Sequence, residues 1–185
     1  LTYPKDVLAG GTWIGLSSKD RLVCLLNGGF ESYKREASYR MSRGVIVKAI
    51  LKSDDFKSYI NDFDFSGIEP FTIVLVDWNV ELKTYELVWD GEKKHFLEQN
   101  QEPKIWSSST LYTREEKVLR IEWFADWLDT QTKLSQDEIL KFHHNSNLGT
   151  QENSPKMKRS YVENVSITSV KKEMSEIIMN YENLL

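Results

Sequence analysis

The sequence predicts an α+β protein built on antiparallel sheets, and two features of its pattern carry that reading. Strand and helix signals come in blocks, strands then helices, strands then helices, then strands, without the regular βαβ alternation of a parallel sheet. The strand signals also come in close pairs joined by turn residues, as hairpins require. At 185 residues the chain is long enough for one domain with a substantial core, so residues 1–185 are read as a single domain.

The elements follow in order. Gly10 and Gly11 form a turn into a short strand, Thr12–Ser17, and the polar turn Ser17-Ser18-Lys19-Asp20 leads to an apolar strand, Leu22–Asn27. Residues 28–42 lack periodicity and read as a loop. Apolar positions at helical spacing predict a helix over 43–52 and a second over 54–61, with Ser53 as N-cap. Pro70 punctuates the approach to Phe71–Val76, a β-branched run suited to a central strand. Glu81–Trp89 reads as its hairpin partner, and Asp90-Gly91 as a two-residue turn into a third strand near 94–97. Ile105–Ser109 is expected to be a short strand. A helix over 114–130 carries an apolar stripe of Val118, Ile121, Phe124, Ala125 and Leu128. Ser135 and Glu138 form a capping box for a helix over 136–144. Residues 145–159 read as a mobile loop, and 164–170 with 176–181 as a terminal hairpin.

Composition narrows the function classes. A net charge of −4 argues against nucleic acid or an anionic membrane surface as main partner. No run of 18 apolar residues occurs, so no membrane-spanning helix is expected. Cys24 is the only cysteine; its apolar setting points to a structural thiol, and the lack of a disulfide fits a reducing, cytoplasmic location. His143 and His144 point about 100° apart on a helix and cannot readily share an ion, so neither metal nor other cofactor is expected. No phosphate-binding glycine motif is present. Six Trp among 12% aromatic residues imply aromatic-rich packing or an apolar pocket.

Residues 10–29, GGTWIGLSSKDRLVCLLNGG, resemble the NRDE family, the transport and Golgi organisation 2-like group, which carries a similar GGTW strand, polar turn and apolar strand ending in Asn. The resemblance continues through Ser42-Arg43-Gly44, Glu69-Pro70-Phe71-Thr72, 85–91, 105–113 and 165–168. It implies an N-terminal-nucleophile hydrolase fold, a four-layer αββα sandwich of antiparallel sheets. It further implies hydrolysis of a non-peptide C–N amide bond by an N-terminal Cys. That Cys and the Asn-Arg-Asp-Glu segment do not stand at the start of this chain. The first strands are therefore expected to be missing, either because the chain is truncated or because that segment exists as a separate piece. An exposed apolar edge near Val165–Val170 or Leu22–Leu26 should result.

Asn27 is the first candidate catalytic residue. An Asn at a strand end before two glycines can present its carboxamide to a ligand, and in related bile salt hydrolases and penicillin V acylases the matching Asn lines an oxyanion hole. The plainer reading is a turn cap. Ser108 stands where related sequences place a further active-site Asn, and is either a second polar group or an ordinary strand end. Arg43 has the planar fork to bind a carboxylate or phosphate, or forms a surface ion pair. Together with Gly28, Gly29, Phe30, Trp106 and Ser107, these residues are expected to line one cleft for a small-molecule amide or lipid-like ligand. A non-catalytic binding or trafficking-related role on the same scaffold is the alternative.

Overall fold

In the computed structural model, residues 1–6 and 10–185 are described, and the chain divides into two compact units, Leu1–Thr113 and Arg114–Leu185. The first unit is framed by β1 (Ile14–Ser17), β2 (Arg21–Asn27), β3 (Phe71–Asp77), β4 (Lys83–Trp89) and β5 (Lys94–Gln99). They form one sheet in chain order, and every pairing is antiparallel. Between β2 and β3 lie α1 (Arg43–Lys52) and α2 (Phe56–Asp62).

Alternation along the strands decides which face the helices cover. Val23, Phe71, Ile73, Leu75, Tyr85 and Leu87 are buried and pack against Ile46, Val47, Ile50 and Leu51 of α1 and Phe56 and Ile60 of α2. The α1 positions recur every three to four residues, so one stripe of the helix enters the core. The opposite face carries Leu22, Cys24, Leu26, Val74 and Val76, all half-buried.

The mixed α+β class with antiparallel sheets is as the sequence indicates. Local chemistry moves several boundaries. β1 starts at Ile14 rather than Thr12, because the Thr12 hydroxyl lies 2.7 Å from the Pro4 and Ile14 carbonyls and draws its own backbone away from the ladder. Ser53 is not an N-cap; it ends α1, and Asp55 caps α2 by accepting from the Lys57 and Ser58 amides, each at 3.0 Å. The β4–β5 connection is a four-residue loop, Asp90–Lys93, in which the Asp90 carboxylate accepts from the Glu92 and Lys93 amides. Leu22–Leu26 lies inside the sheet between β1 and β3, so it is no open edge. Residues 105–109 form no strand, since the Ser108 and Ser109 hydroxyls bond across to the carbonyls of Asn27 and Gly29.

The second unit contains α3 (Arg114–Asp129), α4 (Gln136–His144) and the hairpin of β6 (Ser166–Glu173) and β7 (Glu176–Asn183). β6 and β7 pair with each other and with no other described strand, so each keeps an unpaired edge. The expected apolar stripe of α3 faces inward only in part: Phe124 and Leu128 are half-buried and Phe124 packs edge-on against Phe142, whereas Val118 and Ile121 are about half exposed, at 49% and 54%. There the inward position is taken by Arg120, buried and donating to the Asn153 and Ser154 carbonyls at 2.8 and 3.0 Å. That grip anchors the loop expected to be mobile, with Ser154 fully buried. Ser135 caps α4 through the Glu138 amide, while the Glu138 carboxylate turns to Lys141 at 2.6 Å instead of completing a box. Among the described residues no helix is long and apolar enough to cross a membrane.

Candidate functional site

The first unit holds an open cleft of about 900 Å³ between the end of β2, the N-terminus of α1 and the 35–42 segment of the long loop. Its floor is a contact between two glycines. A Cβ on Gly44 would lie 2.8 Å from the Thr12 nitrogen, and one on Gly11 2.8 Å from the Gly44 Cα, so bare backbone alone fits at the crossing. Trp13, Leu25 and Met41 give the lining an apolar part.

Asn27 reaches this cleft because β2 runs one residue further than its apolar core and then turns sharply. Gly28 has φ 86°, and its amide donates to the Pro70 carbonyl at 3.0 Å. A Cβ there would overlap the Ser109 hydroxyl, so the turn after Asn27 requires glycine. The Asn27 carbonyl accepts from the Ser108 hydroxyl at 2.6 Å. Its carboxamide is exposed at the cleft and has no hydrogen-bond partner among the described residues.

A charged cluster forms the other wall. Glu69, 8% exposed, is the hub. Its carboxylate accepts from the Tyr33 hydroxyl at 2.8 Å and pairs with Arg35 Nε and Arg43 Nη2, each at 3.1 Å. Arg43 Nη1 also donates to the Pro70 carbonyl at 3.0 Å and the Tyr33 hydroxyl at 3.2 Å. Burial, reinforced by the hydrogen bond to Glu69, pushes the Tyr33 phenol up to about 12 against the opposing charge of Arg43. Tyr33 is thus a neutral donor throughout the working pH range. This network ties the loop to the sheet, and it holds Arg43 through the same donors a ligand would use.

The structure brings Asn27 and Arg43 to one cleft and leaves the other sequence candidates outside its lining. Gly28 and Gly29 shape the turn behind Asn27. Ser108 sits directly behind its carbonyl. The Trp106 indole donates to the Glu86 carboxylate on β4. Ser107 is not among the lining residues. Phe30 stands edge-on to the His95 ring, 4.9 Å between centroids, beside the β4–β5 loop. Glu69 is the member that sequence reasoning passed over. No local signal marks it: an acidic residue before Pro70 reads as loop surface, and its partners Tyr33, Arg35 and Arg43 lie more than twenty residues upstream.

The β4–β5 loop carries its own acid-sensitive contact. Burial would raise the Asp90 carboxyl, but the Lys93 amide, the His95 ring at 2.7 Å and the Glu92 amide hold it down at about 2. A carboxyl depressed on folding contributes stability that is complete above its unfolded value, 3.8, and is lost as pH falls through about 2. Asp90→Asn is therefore expected to lower the denaturation midpoint at neutral pH, with the gap to wild type closing across that acid window. A gap that persists unchanged at the acid end would assign the effect to turn geometry instead.

The family model described as Transport and Golgi organisation 2 matches residues 2–183. No curated protein matches the chain.

Proposed function

This chain belongs to the Transport and Golgi organisation 2 family, and from that premise we propose that it supplies the oxyanion side of a hydrolase acting on a non-peptide C–N amide bond. The observation that carries the reading is the unpartnered Asn27 carboxamide, exposed at the cleft beside a turn in which only glycine fits. A donor left free on a strand end whose backbone is fixed is available to charge that develops on a carbonyl oxygen. In this scheme an N-terminal Cys, lying outside these 185 residues, attacks the amide carbonyl as a thiolate. Its α-amino group takes the thiol proton and gives it to the amine that leaves as the C–N bond breaks. Water, deprotonated by the same group, then cleaves the thioester to the carboxylic acid and the free thiol, and the Asn27 side-chain N–H donates to the oxyanion of both steps. Cys24 takes no part: burial pushes its thiol up to about 11, far from the range of an activated nucleophile.

In protein carrying that N-terminal Cys, Asn27→Ala is expected to lower amide turnover by ~10²-fold with folding retained. An unchanged rate would leave Asn27 a turn cap. A second reading, a non-catalytic binder of a small or lipid-like ligand, is favoured by Ser108. Its hydroxyl is spent on the Asn27 carbonyl, so it offers the cleft no second donor. Ligand retention without turnover, unaffected by thiol alkylation, separates this from the hydrolase.

A further inference from the structure

The second unit holds a recess of about 190 Å³ between the end of α4, the 155–164 loop and the start of β6, and we propose that it binds a short-chain monocarboxylate. It is smaller than the roughly 300 Å³ at which sites for drug-sized molecules begin, so only a small molecule fits. The inference starts from an orphan. The Thr168 hydroxyl on β6 is buried and has no hydrogen-bond partner, the only such side-chain atom among the described residues. A buried hydroxyl left unpaired costs free energy until an acceptor or donor meets it. Thr168 and Ser166 lie two apart on β6 and so share one face of the strand, and both residues belong to the wall of the recess.

The other polar groups of the wall are unspent in the same way. Among the described residues the Lys156 ammonium, the Ser166 hydroxyl and the His143 ring have no ion pair or hydrogen bond. Asn164 Oδ1 accepts from the Met157 amide at 2.6 Å, which leaves the NH2 end of its carboxamide as a free donor. Burial, with the charges of Arg120 and His144, holds the His143 imidazole below its ordinary value, so it is neutral at pH 7. No carboxylate lines the recess. The acidic residues nearest to it in the chain, Glu163 and Glu182, are taken by Lys158 at 2.9 Å and His144 at 3.0 Å. One ammonium among neutral donors suits a single negative charge that carries several lone pairs. Pro155 and Leu184 complete the wall with apolar surface, which takes an alkyl chain and offers nothing to a phosphate. Gln136 Nε2 donates to Ser169 Oγ at 3.0 Å and ties α4 to β6, while the contact of His144 with Glu182 ties its end to β7. The walls are thus in place before a ligand arrives, which lowers the ordering cost of binding.

The test is a titration of the chain with butyrate, with butyramide as its uncharged counterpart and with inorganic phosphate, followed through the His143 ring and Thr168 methyl resonances. Butyrate is expected to shift both with Kd ~1 mM, and butyramide to bind ~10-fold more weakly. The carboxylate would join the charges of Arg120, His144 and Lys156 around His143, with Glu182 already held by His144. Its binding should therefore raise the His143 titration midpoint, a shift that a histidine serving only the fold would not show. Lys156→Met should weaken butyrate ~10-fold and leave butyramide unchanged, and folding is not at risk because the ammonium holds no other group. Thr168→Val keeps the shape and removes the orphan, so it should raise the melting temperature of the free chain while weakening butyrate ~3-fold. Equal affinity for butyrate and butyramide, Lys156→Met binding as tightly as wild type, phosphate binding more tightly than butyrate, or no shift up to ~50 mM overturns the proposal.

Discussion

Glu69→Ala is expected to cost about 3 kcal/mol of unfolding free energy, because it leaves a buried guanidinium without its counter-charge. Arg43 has a side chain only 15% exposed and cannot recover its solvation by turning outward, since Pro70 and Tyr33 still hold Nη1. The Tyr33 hydroxyl loses its strongest acceptor in the same step. Both groups then bear a desolvation cost with nothing to offset it. Arg35, mostly exposed, adds little. Glu69→Gln keeps the shape and one acceptor and should cost less than half as much. The pair Glu69→Leu with Arg43→Met removes both charges together and should recover much of the loss. Denaturant unfolding of the four proteins measures all of this. A Glu69→Ala loss of about 0.5 kcal/mol or less would show that the pair behaves as a solvated surface contact.

Gly44→Val should be at least as damaging, about 3 kcal/mol or more, for a steric reason. The atoms a new Cβ would meet are the Thr12 nitrogen at 2.8 Å, and the Gly11 Cα and Thr12 oxygen at 3.0 Å. All are backbone, and none can rotate away. The first turn of α1 must therefore separate from the chain leading into β1, which opens the floor of the cleft. Gly44→Ala sets two effects against each other. A helical Gly replaced by Ala gains about 1 kcal/mol of propensity, while the overlap remains, so a smaller net loss is expected. Gly67→Ala is the control: φ is 72°, but the nearest atom is 3.6 Å away, so only the left-handed backbone is strained, at about 1 kcal/mol. Thermal melts that rank Val, Ala and the control in that order support the contact; Gly44→Val melting with wild type refutes it.

The fold was legible wherever burial repeats at a regular period. β2, α1, β3 and α4 fall close to their expected bounds because alternation or helical spacing of apolar residues determines them. Errors arose where a polar side chain decides the outcome. Ser53 and Asp55 are both good caps, and only the backbone path shows that the carboxylate of Asp55 reaches two amides. Ser108 and Ser109 read as a strand end because their acceptors, the Asn27 and Gly29 carbonyls, lie about 80 residues upstream in the chain. The α3 stripe holds at Phe124 and Leu128 but not at Val118 and Ile121, where Arg120, a charged residue, occupies the inward position. Within the site, the strand end at Asn27 and the helix start at Arg43 were readable locally. The role of Glu69 was not, since each of its partners comes from the earlier loop or from α1.

The order of the first sheet bears on how the cleft comes into being during folding. β1 with β2 and β3 with β4 and β5 are joined by short connections, so each group can form from neighbouring residues. The β2–β3 seam is different, because the whole of 28–70 must be looped out before Asn27 can meet Phe71. Loop-closure entropy makes that seam the slow step of the sheet, with α1 and α2 forming inside the loop it closes. Asn27 belongs to one group, Glu69 leads into the other, and Arg43 lies on the looped-out segment between them. The cleft thus has no precursor in either half: it exists only once the seam has closed.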